Sequence, residues 1–435
     1  MNNKHFFFII IYFIISTIVY CKSVNNSFKY SKIIKIPDLS FHQDVFTGLD
    51  ILEQMDFKLL KDKSIGIFSN YTSINKSGFH ILDLIKKHKS IDILAIFEPE
   101  HGMWGTQNEK IKVIGNSDLD PSTGARIFNL MDRSVYPPDW IMKKIDYVII
   151  DIQDTGVRYS TFLTSISKIL ESASEHKVKV LVLDRPNPLG GVVIEGPLPR
   201  TDFQSFESYH LMPIRHGLTI GESVLMINEM GWAKDLKRAK VEIIPMANWK
   251  RKMYHDETNL IWKAPLPYVS DLESLLMYSG MNLFRGTNLD VGFGTNETFM
   301  IFGSTWLVTS FLLDKVNQLN LEGVSLSEHT YYSKIKIGSK NTLNNNLIIN
   351  GLKINIDDRN EVRPVYVATS ILNLIYQLHP KELKWEGNGY IDKLFGSDLL
   401  RILIAKNKSY YDFTPHWMKD QLKFSQFRER FLLYK

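Results

Sequence analysis

The chain has 435 residues, 44% of them apolar and 23% charged, with a net charge of +5. That balance excludes a disordered chain, and the length exceeds what one hydrophobic core usually holds, so two domains are expected. The positive excess contains no dense Lys/Arg block, which leaves nucleic-acid binding without support, while a modest positive field favours an anionic substrate.

MNNKH opens the chain and FFFIIIYFIISTIVY follows at 6–20. A basic start before an apolar run too short to span a bilayer comfortably is the pattern of a secretory leader, here over 1–21. Cys21, the single cysteine, has no partner for an internal disulfide. In IVYC it is a candidate lipidated first residue, although Tyr20 is bulkier than such signals usually accept. Plain cleavage and an uncleaved anchor are the alternatives. The expectation is export to the periplasm or cell envelope, with membrane contact only through the leader or a lipid on Cys21.

Residues 22–44 are polar and mixed and read as a linker. A repeating alternation follows. SIGIFSN (64–70) predicts a strand, GFHILDLIKKH (78–88) a helix and IDILAIF (91–97) a second strand. After a glycine-bearing loop, ARIFNLM predicts a weaker strand and PPDWIMKKI (137–145) a helix opened by prolines. DYVIIDI (146–152), STFLTSISKILESASEH (160–176) and KVKVLVLD (177–184) continue as strand, helix and strand, then TIGESVLMINEMGW (219–232) as a helix capped by Thr219 and VEIIPM (241–246) as a strand. The pattern predicts an α/β fold: a Rossmann-like, doubly wound parallel sheet over 45–246. A smaller α/β domain is expected over 247–435, with helices at 305–319 and 363–379 and a strand at 345–356.

Position makes the polar residues informative. Asn70 and Thr72 follow the first strand; Glu98, Glu100 and His101 the second; Asp151, Gln153, Asp154 and Arg158 the third; Asp184, Arg185 and Asn187 the fourth. In a parallel sheet all four sets emerge at one carboxyl edge, where such sheets bind ligands. Simpler roles stand beside this one. Asp184 and Asn187 suit a turn, Asp154 suits a helix cap, Arg158 suits a surface ion pair, and His216 suits a backbone contact near a helix start.

Glu98 and Glu100 lie two apart, so on an extended strand they share a side and raise one another's pKa, unless Pro99 turns the chain between them. A raised glutamate is a general acid, which is the chemistry of glycosidic cleavage. No HExxH, cysteine pair or GxSxG appears, and GFGTNE lacks a phosphate loop's lysine. No cofactor or metal is expected, with a Mg or Ca ion at Asp151, Asp154 and Asp184 left open.

FEPEHGMWG (97–105), DIQDTGVRYSTF (151–162), VLDRPNPLGGVVIEGPL (182–198) and MPIRHGLTIGE (212–222) together resemble the exo-β-N-acetylmuramidases of the NamZ type, and the similarity runs from about Phe46 to the last residue. The resemblance implies an active cleft between the two domains and release of terminal N-acetylmuramic acid from the non-reducing end of peptidoglycan fragments of MurNAc–GlcNAc type. It implies Glu100 as catalytic acid; Asp151 or Asp154 is the expected second carboxylate, with attack by the sugar's own 2-acetamido group left open. Asn70, Glu98, His101, Gln153, Arg158, Asp184, Arg185, Asn187 and His216 are the expected substrate-binding residues. Arg158, Arg185 or His216 would hold the lactyl carboxylate. The chain departs from the family pattern at Leu266, Tyr268, Arg285, Val291 and Phe293. Those changes motivate an alternative reading, a non-catalytic muropeptide-binding envelope protein that kept the cleft.

Overall fold

The structure, a computed structural model, describes residues 28–105, 119–131, 134–332, 347–406, 408 and 410–435, without the side chains of 410–414 and 416. The expected leader, Cys21 and most of the loop after Gly105 lie outside the described residues.

Seven strands form the main sheet: β1 (Ser31–Ile33), β2 (Lys63–Ser69), β3 (Ile91–Glu98), β4 (Arg126–Asn129), β5 (Tyr147–Asp151), β6 (Lys179–Leu183) and β7 (Lys240–Ile244). All pairings are parallel, in the order β1-β7-β6-β5-β2-β3-β4. From β2 the chain winds outward through β3 and β4, then returns to the other side of β2 with β5. That reversal makes the carboxyl ends of β2 and β5 the switch point of a doubly wound sheet. Every residue of β5 is buried, because helices cover both faces. Val148 and Ile150 enter one hydrophobic core and Tyr147 and Ile149 the other, the period-two alternation of a strand.

The expected elements appear with differences that have local causes. The helical spacing at 78–88 yields only Ile81–Ile85, capped by His80. Its end tightens into three-residue turns, Lys87 N–H donating to Leu84 O and His88 N–H to Ile85 O. The proline-opened segment is helical only over Asp139–Met142. Thr219 caps the helix Ile220–Met230 in a reciprocal capping box with Glu222. Within the stretch read as linker, Ser31–Ile33 pairs with Val241–Ile243 as the sheet's edge strand. Three residues are too few to show an alternation.

The second unit carries an antiparallel sheet of β8 (Ile301–Ser304), β9 (Val324–Tyr332) and β10 (Ile348–Ile356), with β10 in the middle. Beside it, helix Leu272–Met281 packs on helix Pro364–Leu378, whose proline sits in the first turn. A Cβ on Gly280 would lie 1.9 Å from Pro364 O, so only glycine permits this approach. The chain's end then returns to the first sheet. Leu433 N–H donates to Glu222 at 2.8 Å, and the Tyr434 hydroxyl donates to Asp184 at 2.5 Å.

Candidate functional site

β3 ends at Glu98, and the next residues form a tight turn. Gly102 N–H donates to Pro99 O at 3.1 Å, and both His101 and Gly102 take φ of +70°. A left-handed histidine is uncommon and stays only where its surroundings hold it. Two contacts do so: Met103 N–H donates to Glu98 Oε1 at 3.0 Å, and Tyr71 N–H donates to Met103 O at 2.8 Å. Glu98 is thus the brace of the turn, and burial raises its pKa. The proline-driven turn separates it from Glu100, so the mutual repulsion expected of an extended strand gives way to different partners for each.

Glu100 remains half-exposed. Thr161, first residue of helix Thr161–His176, donates its hydroxyl to Glu100 Oε2 at 2.8 Å. Oε1 accepts no hydrogen bond among the described residues. The carboxyl group is therefore held by one oxygen and reachable through the other. The His101 ring meets Tyr268 edge-on at 5.7 Å, and Trp104 stands 66% exposed on the same turn. Burial pushes the Tyr268 hydroxyl up, and Arg285, Glu100 and Glu207 are the nearby charges acting on it.

Most other expected site residues are spent on the fold. Asp151 is fully buried and paired with Arg185, Oδ1 to Nε at 2.6 Å and Oδ2 to Nη2 at 2.9 Å. Asp154 is buried with Oδ2 accepting from Gly156 N–H at 3.0 Å, and burial raises its pKa. Neither aspartate is thereby offered as a second carboxylate, and helix Thr161–His176 has Ser160, not Asp154, at its cap position. Arg158 is no surface ion-pair partner. Its guanidinium donates to the carbonyls of Pro197, Met212, Leu394 and Phe395 at 2.6–3.0 Å, leaving it unavailable to a lactyl carboxylate.

Asp184 accepts from Thr219, Gly221, Tyr434 and its neighbour's N–H, while burial pushes it up to about 7. Gly221 makes this possible, since a Cβ there would come 2.6 Å from Asp184 Cγ. Asn70 turns its amide oxygen onto Thr72, and Asn187 bridges Leu189 N–H and Leu218 O. His216 is fully buried, its Nδ1 accepting from Leu218 N–H at 3.2 Å. The backbone-contact reading of His216 thus holds, and its carboxylate-holding reading gives way. Among the described residues, no three His, Cys, Asp or Glu side chains gather as a metal site.

The departures in the second domain fit together. Tyr268 and Phe293 meet edge-on at 5.5 Å, and both pack on Phe299. Leu266 and Val291 are buried. Arg285 lies 3.5 Å from Glu207, donates to Asn282 Oδ1 at 3.1 Å and stacks over Tyr390, whose hydroxyl donates to Glu207 at 2.9 Å. Sequence reasoning missed Thr161, Glu207 and Tyr390. Thr161 had a signal, being the first helical residue after a polar motif. Glu207 and Tyr390 had none, because they meet across 183 positions.

An accessible acid beside an aromatic wall, at the carboxyl edge of a parallel sheet, belongs to a glycoside hydrolase on a two-domain α/β frame. The family description "Exo-beta-N-acetylmuramidase NamZ, N-terminal" matches residues 65–273, and its C-terminal counterpart matches 276–434. The chain belongs to this family. It is 30% identical over 393 residues to the peptidoglycan beta-N-acetylmuramidase NamZ of Bacillus subtilis, covering 90% of this chain and 91% of that one. Two DUF1343-family proteins of Bacteroides fragilis share the architecture. The first aligns with a TM-score of 0.80 at 26% identity over 91% of this chain and all of its own. The second aligns at 0.71 and 27%, over 90% and 99%.

Proposed function

We propose that this protein is an exo-acting β-N-acetylmuramidase that releases terminal N-acetylmuramic acid from the non-reducing end of peptidoglycan fragments. Glu100 is its general acid, delivering a proton from Oε1 to the departing glycosidic oxygen. The observation that carries the reading is the half-exposed Glu100, anchored through Oε2 by Thr161 and with no hydrogen bond at Oε1 among the described residues. Because Asp151 and Asp154 are taken up internally, charge support at the anomeric carbon falls to the sugar's own 2-acetamido oxygen. The departures are accommodated by the second domain, Arg285 facing Glu207 and Phe293 packing on Tyr268, so they leave the Glu100 turn intact.

Glu100→Gln keeps the shape and removes the proton. It should lower kcat on a chromogenic muramic-acid glycoside by about 10²- to 10⁴-fold, with an unchanged melting temperature. Full activity in that variant would remove Glu100 from the mechanism, and wild-type protein that binds a MurNAc–GlcNAc disaccharide without releasing sugar would favour the binding-only reading. Export belongs to the same proposal and rests on the basic start and apolar run of 1–21. Cell fractionation with mass determination of the mature amino terminus tests it. Among the described residues no helix is long and apolar enough to cross a membrane.

A further inference from the structure

At the switch point between β2 and β5 lies a small pocket, open to solvent. Thr72, Gln153 and Arg185 line it from the ends of three strands, and His255, Ile261 and Lys263 close it from the segment leading to the second domain. Glu100 is not among its lining residues. The two sites are joined by the Tyr71 hydroxyl, which donates to Ala264 O at 2.7 Å. The next residue along the first segment, Thr72, lines the pocket, as does Lys263, immediately before Ala264. In the other direction, Tyr71 N–H reaches the Glu100 turn through Met103 O, and Tyr268 touches His101.

The pocket's chemistry is that of an anion site. Arg185 commits Nε and Nη2 to Asp151 and donates Nη2 also to Ile74 O, which holds the guanidinium rigidly and leaves Nη1 without a partner among the described residues. Lys263 is exposed and has no acid within ion-pair distance among them. His255 is only 4% exposed, yet no hydrogen bond among the described residues reaches either ring nitrogen. Burial and the neighbouring Arg185 push its pKa down to about 4, so near neutral pH it is an uncharged imidazole with an N–H to donate. At the wall of an open pocket that N–H is reachable from solvent and can donate to a ligand there. With Arg185 balanced by Asp151, the surplus is the single charge of Lys263, which suits a monoanion. The apolar side chains of Ile74, Leu260 and Ile261 suit a short alkyl group beside it.

We propose that this pocket is a carboxylate subsite in which Arg185, His255 and Lys263 receive a carboxylate carried on a short alkyl arm. Resting on the function proposed above, that group is the lactyl ether of N-acetylmuramic acid, and the pocket is what separates this sugar from N-acetylglucosamine. Of the three basic residues considered for this task from sequence, only Arg185 keeps a place in it.

Calorimetry on the full chain tests the assignment with three probes: N-acetylmuramic acid, N-acetylglucosamine and inorganic phosphate. N-acetylmuramic acid should bind at least tenfold more tightly than N-acetylglucosamine. Lys263→Met, at an exposed position whose side chain makes no hydrogen bond or ion pair among the described residues, should abolish that preference and leave the weaker sugar's affinity unchanged. Unaltered N-acetylmuramic acid binding in the variant would overturn the proposal, as would equal affinity of wild type for the two sugars or tighter binding of phosphate than of N-acetylmuramic acid. The measurement uses free sugars, so it reports on the pocket even in a protein that cleaves nothing. Catalysis is judged separately by Glu100→Gln.

Discussion

Burial holds the His216 imidazole neutral. Desolvation first, then the nearby Arg428 and Arg158, push its pKa down to about 3. An unfolded histidine takes its proton near 6.5, so between these values the unfolded state binds more protons and stability falls as pH is lowered. The contribution is complete above pH 6.5 and is lost progressively toward 3. His216→Gln should therefore lose less stability than wild type between pH 7 and pH 4.5, by on the order of 2 kcal/mol, read from urea melts at both values. Identical pH dependence would mean that the folded imidazole already carries its proton. Glu98 and Glu100 make the same point about surroundings: two glutamates, two residues apart, become a brace and an acid because only one has its carboxylate turned into the backbone.

Arg158 shows what a side chain does for the elements around it. It follows β5, yet its four acceptors lie at Pro197 and Met212 in the first domain and at Leu394 and Phe395 at the end of the helix Tyr390–Phe395. The sequence made its place after a strand legible; its orientation depended on where those carbonyls arrive. Arg158→Met should leave four carbonyls without their donor and lower unfolding free energy by about 3 kcal/mol or more, measured by chemical denaturation, with KM unchanged in the folded fraction. A raised KM without loss of stability would restore Arg158 as a ligand residue. β2, β3, β5, β6 and β7 were legible because their apolar runs report two-sided burial. β1 and β9 were not: one is a three-residue edge, and the other keeps most of its residues at least partly exposed.

Across the whole molecule, the last residues close a circuit begun near the middle of the chain. Tyr434 donates to Asp184 at the end of β6, its own hydroxyl accepts from Met246 N–H at 2.9 Å, and Arg251 N–H donates to Lys435 O at 2.9 Å. The C-terminal segment thereby clamps the edge at which the site is built. Tyr434→Phe takes one donor from a fully buried acid and should cost about 1–3 kcal/mol, visible as a lower urea midpoint. An unchanged midpoint would show that the other three donors suffice.

Sequence alone determined the succession of β2 to β7 along the chain, the doubly wound class and the placing of Glu100 at a carboxyl edge, because hydrophobic period and turn residues act over a few positions. Tertiary structure decided which polar residues face a ligand. Asp151, Arg158 and Asp184 turned inward to partners far along the chain, and Asp154 and His216 were enclosed by the same packing, whereas Thr161, His255 and Lys263 came to the acid and the pocket. The reason is physical: a polar side chain takes its role from the groups that surround it, and those groups are assembled only when distant segments pack.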